Sequence, residues 1–230
     1  MYFGTEAGLA KFDGRRTQTL SINGLEGRRV LALQSDNSGV LWIGTEAGAA
    51  RFVDGLFEVI TELSGHSITS IAAVEPSRVL MTTEQGNIFE CRVDADGTRH
   101  TTPLFNQPLE SADREHPGPL AFTSVATLNN QVLAGSLSRG VLTITDGLGR
   151  EREGGPSAFF VRALDVDPNG KLWVGTRVKK DEPGLLIGSR PTDLARNETP
   201  TGTRRGQRAP FGRHSRVPVS PTGSTAQAAF

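Results

Sequence analysis

Few residues in this chain have types and spacing that could do chemistry. Asp165-x-Asp167-x-Asn169-Gly170 has the alternating oxygen ligands that open a calcium loop. The second half of such a loop needs a bidentate Glu at its twelfth position and often a ligand at its ninth, where Thr176 and Trp173 stand. An earlier matching stretch has Gln34, Asp36 and Ser38 at the same places, so a solvated turn between strands is expected and no metal site is assigned. His66, His100, His116 and His214 are scattered, with no pair at i, i+4 and no thiol nearby, which argues against zinc. Neither G-x-S-x-G nor G-x-x-x-x-G-K-[ST] occurs, and no pair of carboxylates is set apart. No catalytic residue and no cofactor are expected.

The elements that must position any site repeat along the chain. Residues 30–55 read VLALQSDNSGVLWIGTEAGAARFVDG, and residues 161–176 read VRALDVDPNGKLWVGT. The opening YFGTEAGLAKFDG repeats the second half of that unit, and two weaker copies lie at 68–91 and 122–147. The equivalent positions Gly4, Gly44, Thr82, Gly135 and Gly175 recur at about 40 residues, with one longer interval between Thr82 and Gly135. Each unit holds short β-rich runs bounded by Gly, Asn and Asp, and no window keeps helical spacing for three turns. Asp54-Gly55 marks a tight hairpin, and Asp13-Gly14, Asp96-Gly97 and Asp146-Gly147 recur near the equivalent turn. Four short antiparallel strands per unit predict an all-β propeller of four-stranded blades, with about four and a half repeats present. The expected boundaries are a partial blade at 1–21 and blades near 22–62, 63–102, 122–160 and 161–188.

Val-x-Ala-Leu-x-x-Asp-x-x-Gly-x-Leu-Trp-Ile-Gly-Thr-x-x-Gly, met at Val30 to Gly48 and in part from Val161 to Thr176, resembles the two-component regulator propeller repeat. The resemblance covers residues 1 to about 188, although the units centred on Thr82 and Gly135 lack the Trp. It implies a ligand-sensing propeller of a bacterial hybrid histidine kinase or related receptor, periplasmic in the parent chain. The implied partners are missing blades, further kinase-linked domains and a small polar or saccharide-like ligand. Two other readings stay open. One is a metal-dependent propeller lyase like the streptogramin lyases, for which His66 and His116 would have to meet on one rim. The other is a propeller scaffold that binds protein.

Within the repeat, Trp42 and Trp173 are expected to fill the wedge between sheets, and Gly44 and Gly175 to permit close backbone approach. Thr45 and Thr176 are expected to cap the turn that follows them. With the first strand of each unit innermost, the turns between the second and third strands share a rim with the connections between units. Glu46, Glu84, Arg139 and Arg177 are the candidate ligand-binding residues there, offering both signs of charge. The longest irregular stretch, roughly Pro103 to Leu120, falls on the same rim and is either a functional loop or a surface excursion.

Lys and Arg total 25 against 25 Asp and Glu, so the whole chain has no electrostatic pull on nucleic acid or anionic membrane. No apolar run approaches the roughly 18 residues of a membrane helix, and the lone Cys91 forms no internal disulfide. Residues 189–230 carry seven arginines against Asp193 and Glu198, with few large aliphatics. That segment is expected to be a disordered tail without nucleic-acid affinity, and the chain a fragment of a longer propeller.

Overall fold

The computed structural model describes residues 1–106, 120–145, 148–151, 160–176 and 185–188. All of them lie in one unit, Met1–Asn197. They form five antiparallel sheets in chain order. The first holds β1 (Tyr2–Thr5), β2 (Gly8–Phe12) and β3 (Thr17–Leu20). The second holds β4 (Val30–Ser35), β5 (Leu41–Thr45), β6 (Gly48–Val53) and β7 (Leu56–Ile60). The third holds β8 (Ile68–Glu75), β9 (Arg78–Thr83), β10 (Asn87–Val93) and β11 (Arg99–Asn106). The fourth holds β12 (Phe122–Leu128), β13 (Gln131–Ser136), β14 (Val141–Thr145) and β15 (Leu148–Glu151), and the fifth β16 (Val161–Val166), β17 (Leu172–Thr176) and β18 (Leu185–Gly188). Each sheet is a simple meander, its strands hydrogen-bonded in sequence order. This is the β-propeller architecture that the repeat predicts. Residues 189–230, for which disorder is expected, lie outside the described residues.

The hydrophobic core is divided between neighbouring sheets. Leu9 and Ile22 meet Leu41, Ile43 and Ala50 between the first and second, and Trp42 and Ile60 meet Ile71, Val79 and Met81 between the second and third. Phe105 meets Phe122 edge-on between the third and fourth, and Leu133 meets Val161 and Val174 between the fourth and fifth. Each such aliphatic side chain gains about 2 kcal/mol by leaving water. One blade cannot make this gain alone, since its faces are buried only against its neighbours.

The repeated glycine explains how the sheets seat. A Cβ built on Gly44 would lie 2.7 Å from Ile68 Cγ2, and one on Gly4 would lie 2.7 Å from Val30 Cγ1. One on Gly135 would lie 2.5 Å from Val161 Cγ1. In all three, the β-branched residue that opens the next inner strand fills the space a side chain would need. Immediately after its first residue, each of the four inner strands carries a register shift, at Leu31, Thr69, Thr123 and Arg162. This one-residue bulge turns the chain from the interface onto its own sheet.

The turn between first and second strands has its own device. Asp36 Oδ1 accepts the N–H groups of Ser38 and Val40 while Oδ2 accepts Trp42 Nε1–H at 2.9 Å. Asp167 repeats the set with Asn169, Lys171 and Trp173. Trp42 is fully buried, but Trp173 is only half-buried. As expected, Thr45 caps its turn: Oγ1 donates to Gly48 O and accepts Ala47 N–H. At Asp54-Gly55 both residues have positive φ, 50° and 83°, the tight hairpin that the dipeptide predicts.

One boundary shifts. Pro103 to Asn106, expected to open an irregular stretch, belong to β11, which ends beyond the expected 102. Pro103 is tolerated because β11 is the outermost strand and because the pairing with β10 slips between Ile88 and Phe89, opposite this proline. The rest of that stretch, 107–119, lies outside the described residues.

Candidate binding site

Every unit's first strand is an edge. β4, β8, β12 and β16 each pair on one side only, with β5, β9, β13 and β17. An edge strand leaves a row of backbone N–H and C=O groups unpaired. These four edges converge on one cavity of about 370 Å³, lined by Gln34, by Ser70 to Ala73, by Val125 to Thr127 and by Leu164 to Val166. Each strand also contributes one polar side chain: Gln34, Ser70, Thr127 and Asp165. Gln34, Ser70 and Thr127 are half-buried and Asp165 is exposed, so the cavity opens to solvent at the acidic side.

Local bonds fix parts of this wall. Ser70 Oγ accepts the Val125 N–H across the gap between β8 and β12, taking up one edge donor. Thr123 Oγ1 donates to Val161 O at 2.8 Å and so ties β12 to β16. Gln34 Nε2 donates to Ser35 O and thereby holds the amide over its own strand. Asp165 Oδ1 accepts the Val166 N–H, a single neutral donor.

The charged rim predicted from sequence is a separate place. Glu46 and Glu84 follow Thr45 and Thr83 at corresponding turns, and both are exposed. Their backbones do the same work: Glu46 N–H donates to Arg29 O, and Glu84 N–H donates to Ser67 O. In the fourth sheet Leu137 holds this position, its N–H donating to Ala121 O. Arg139 sits two residues later, where its N–H donates to Ser136 Oγ at 2.7 Å. Glu46 folds back so that Oε1 accepts the Arg29 N–H at 3.4 Å. Arg177 lies outside the described residues.

His66 is half-buried in the connection before β8, its ring edge-on to Phe89 at 5.1 Å and its Nδ1 without a hydrogen bond. His100 lies elsewhere, on the exposed face of β11 beside Asp94 at 3.1 Å. Together with Glu90, Arg92 and Thr102 it borders a second hollow of about 310 Å³. There Arg92 pairs with Asp94, and Glu90 with Arg78, so its charges neutralise one another. His116 lies outside the described residues. The calcium-like segment is a turn: Asp167 spends its oxygens on N–H donors, the wrong polarity to surround a cation. Among the described residues no group of three His, Cys, Asp or Glu converges as a metal site. Cys91 is buried in the core, which pushes its thiol up to about 11 and keeps it unreactive near neutrality.

Sequence reasoning missed the cavity. Its one available signal was that Gln34 and Asp165, which pair with Trp42 and Trp173, are polar at equivalent places of otherwise apolar strands.

Residues 24–47, which hold β4 and β5 of the second sheet, match the two component regulator propeller family. No curated protein sequence matches the chain. Among solved structures, the extracellular domain of BT4673 from B. thetaiotaomicron, described as a one component system, is similar at 16% identity with a TM-score of 0.58. The match covers 81% of this chain and 26% of that one, so this chain spans about a quarter of that relative. PorZ, a surface component of the type-IX secretion system of Porphyromonas gingivalis, gives a TM-score of 0.62 at 14% identity, over 85% of this chain and 31% of that one. Virginiamycin B lyase from Staphylococcus aureus gives 0.52 at 14% identity, over 77% and 60%. At these identities the likenesses show the β-propeller fold. Among the described residues, no helix is long and apolar enough to cross a membrane.

Proposed function

We propose that this two component regulator propeller chain is a ligand-sensing module of a bacterial two-component signalling receptor, acting outside the cytoplasm and without chemistry of its own. The observation that carries the reading is the repeat: its best copy matches the family model over 24–47, and the same glycine interlock recurs at three of the four junctions between the described sheets. The likeness to the extracellular BT4673 domain supports the location. The ligand is a small polar or saccharide-like molecule, and signalling is transmitted to further blades and kinase-linked domains of a longer parent.

The test is a thermal-shift screen of the purified chain against neutral sugars, polyols, amino acids and dicarboxylates. A ligand that binds the folded state alone raises the melting temperature with its concentration. A saturable rise for one polar class is expected, with the ligand recovered unchanged. Cleavage of quinupristin with added Mg²⁺, abolished in His66→Ala, would replace this reading by the lyase one. No shift with any class would remove the sensing role.

A further inference from the structure

We infer that the cavity between β4, β8, β12 and β16 is a binding site for a compact, neutral, hydroxyl-rich molecule of monosaccharide or cyclitol size. The inference deepens the sensor reading and rests on it, because it names the ligand class and places it on the inner strands rather than on the charged rim. Size is the first argument. About 370 Å³ falls in the lower part of the range for small-molecule pockets.

The second argument is the alternation of donors and acceptors. Free edges of antiparallel strands offer N–H and C=O groups together, and four such edges face this space. A hydroxyl is both donor and acceptor, so a polyol can meet both kinds of group. A cation would satisfy the carbonyls and leave the N–H groups unmet. An anion would satisfy the N–H groups but confront Asp165, the one charged residue of the lining.

The side chains narrow the class further. Thr127 adds a hydroxyl, Gln34 leaves its amide oxygen as an acceptor while its nitrogen bonds Ser35 O, and Asp165 keeps one oxygen beyond the Val166 N–H bond. Charge-assisted acceptance by Asp165 favours a ligand that brings O–H donors. The lining carries no aromatic ring, so recognition rests on hydrogen bonds and not on stacking.

The experiment is an amide NMR titration of the whole chain with myo-inositol and D-glucose, choline as the cationic probe and succinate as the anionic one. Inositol or glucose should shift the amides of 70–73, 125–127 and 164–166 together and saturably. Asp165→Asn and Thr127→Val should each weaken that binding about tenfold, as loss of one good hydrogen bond would, and Arg15→Gln should not. Far-UV circular dichroism checks that each variant folds. Shifts confined to Glu46, Glu84 and their turns would overturn the inner-strand site and leave the sensor reading standing. Response to choline or succinate alone would overturn the neutral class. If neither polyol moves any inner-strand amide, the inference fails, even where the thermal screen finds another ligand.

Discussion

At the scale of single residues, the glycine interlock makes a contrast that stability measurements can read. Gly44→Ala puts a methyl 2.7 Å from Ile68 Cγ2 and 2.9 Å from its Cβ, atoms that cannot swing aside. The second and third sheets must part, and a loss of about 1 to 3 kcal/mol is expected in urea unfolding. At Gly175 the nearest atom is Ala163 Cβ at 3.5 Å, an ordinary contact, so Gly175→Ala should cost less than about 1 kcal/mol. Equal losses at the two sites would show that the glycine is needed for something other than room.

Acid stability has its origin in turn carboxylates. The Lys171 backbone N–H holds Asp167 below its ordinary value of 3.8, and the Arg16 and Arg15 N–H groups do the same for Asp13. Asp96 is lowered by Thr98. Since these groups bind protons less readily folded than unfolded, their contribution is complete above the ordinary Asp range and is lost as pH falls through the depressed values. Melting temperature should therefore fall in that acid window, and Asp167→Asn should flatten part of the fall. An unchanged acid profile in that variant would count against the Asp167 contribution.

At the scale of elements, the Asp54-Gly55 hairpin isolates backbone strain from packing. Gly55 has φ of 83° and nothing within 4 Å of where a Cβ would stand. Gly55→Ala should then cost about 1 kcal/mol through backbone conformation alone, seen as a lower urea midpoint with unchanged slope.

Strand positions of this kind were legible because Gly, Asp-Gly and Trp recur at fixed places. Pro103 was misread because edge status belongs to the sheet, and a lone proline reads as a break. The inner-strand cavity was illegible for a related reason. Gln34, Ser70 and Thr127 do not share one repeat position: Ala72 and Ala126 stand where Gln34 and Asp165 do, and the polar residue falls at another step of those two strands. Their meeting depends on how four sheets are placed, which periodicity does not encode. The rim candidates needed only turn order, and Leu137 in place of Arg139 shows how a longer turn, 137–140 against 46–47 and 84–86, can shift even that.

At the scale of the molecule, the two tryptophans report on different interfaces. Trp42 is sealed between the second and third sheets, whereas Trp173, bonded to Asp167 as Trp42 is to Asp36, is half-buried with Lys171 Nζ 5.6 Å from the ring centre. Acrylamide should quench Trp173 readily and Trp42 weakly. Trp42→Phe should leave red-shifted, fully quenchable emission, and Trp173→Phe a blue-shifted, protected one. Equal quenching in both single-tryptophan variants would contradict the difference in burial.

The interlock also bears on how such a chain could arise from its gene. Each glycine and the side chain that fills its space stand at 4 and 30, 44 and 68, and 135 and 161, a separation that varies by only two residues. A duplication of one repeat length copies one socket and one plug, wherever within the repeat the DNA is cut. Units can therefore be gained by unequal crossing-over without inventing a new interface. A change at one socket, such as Thr in place of Gly at 82, then concerns only one junction.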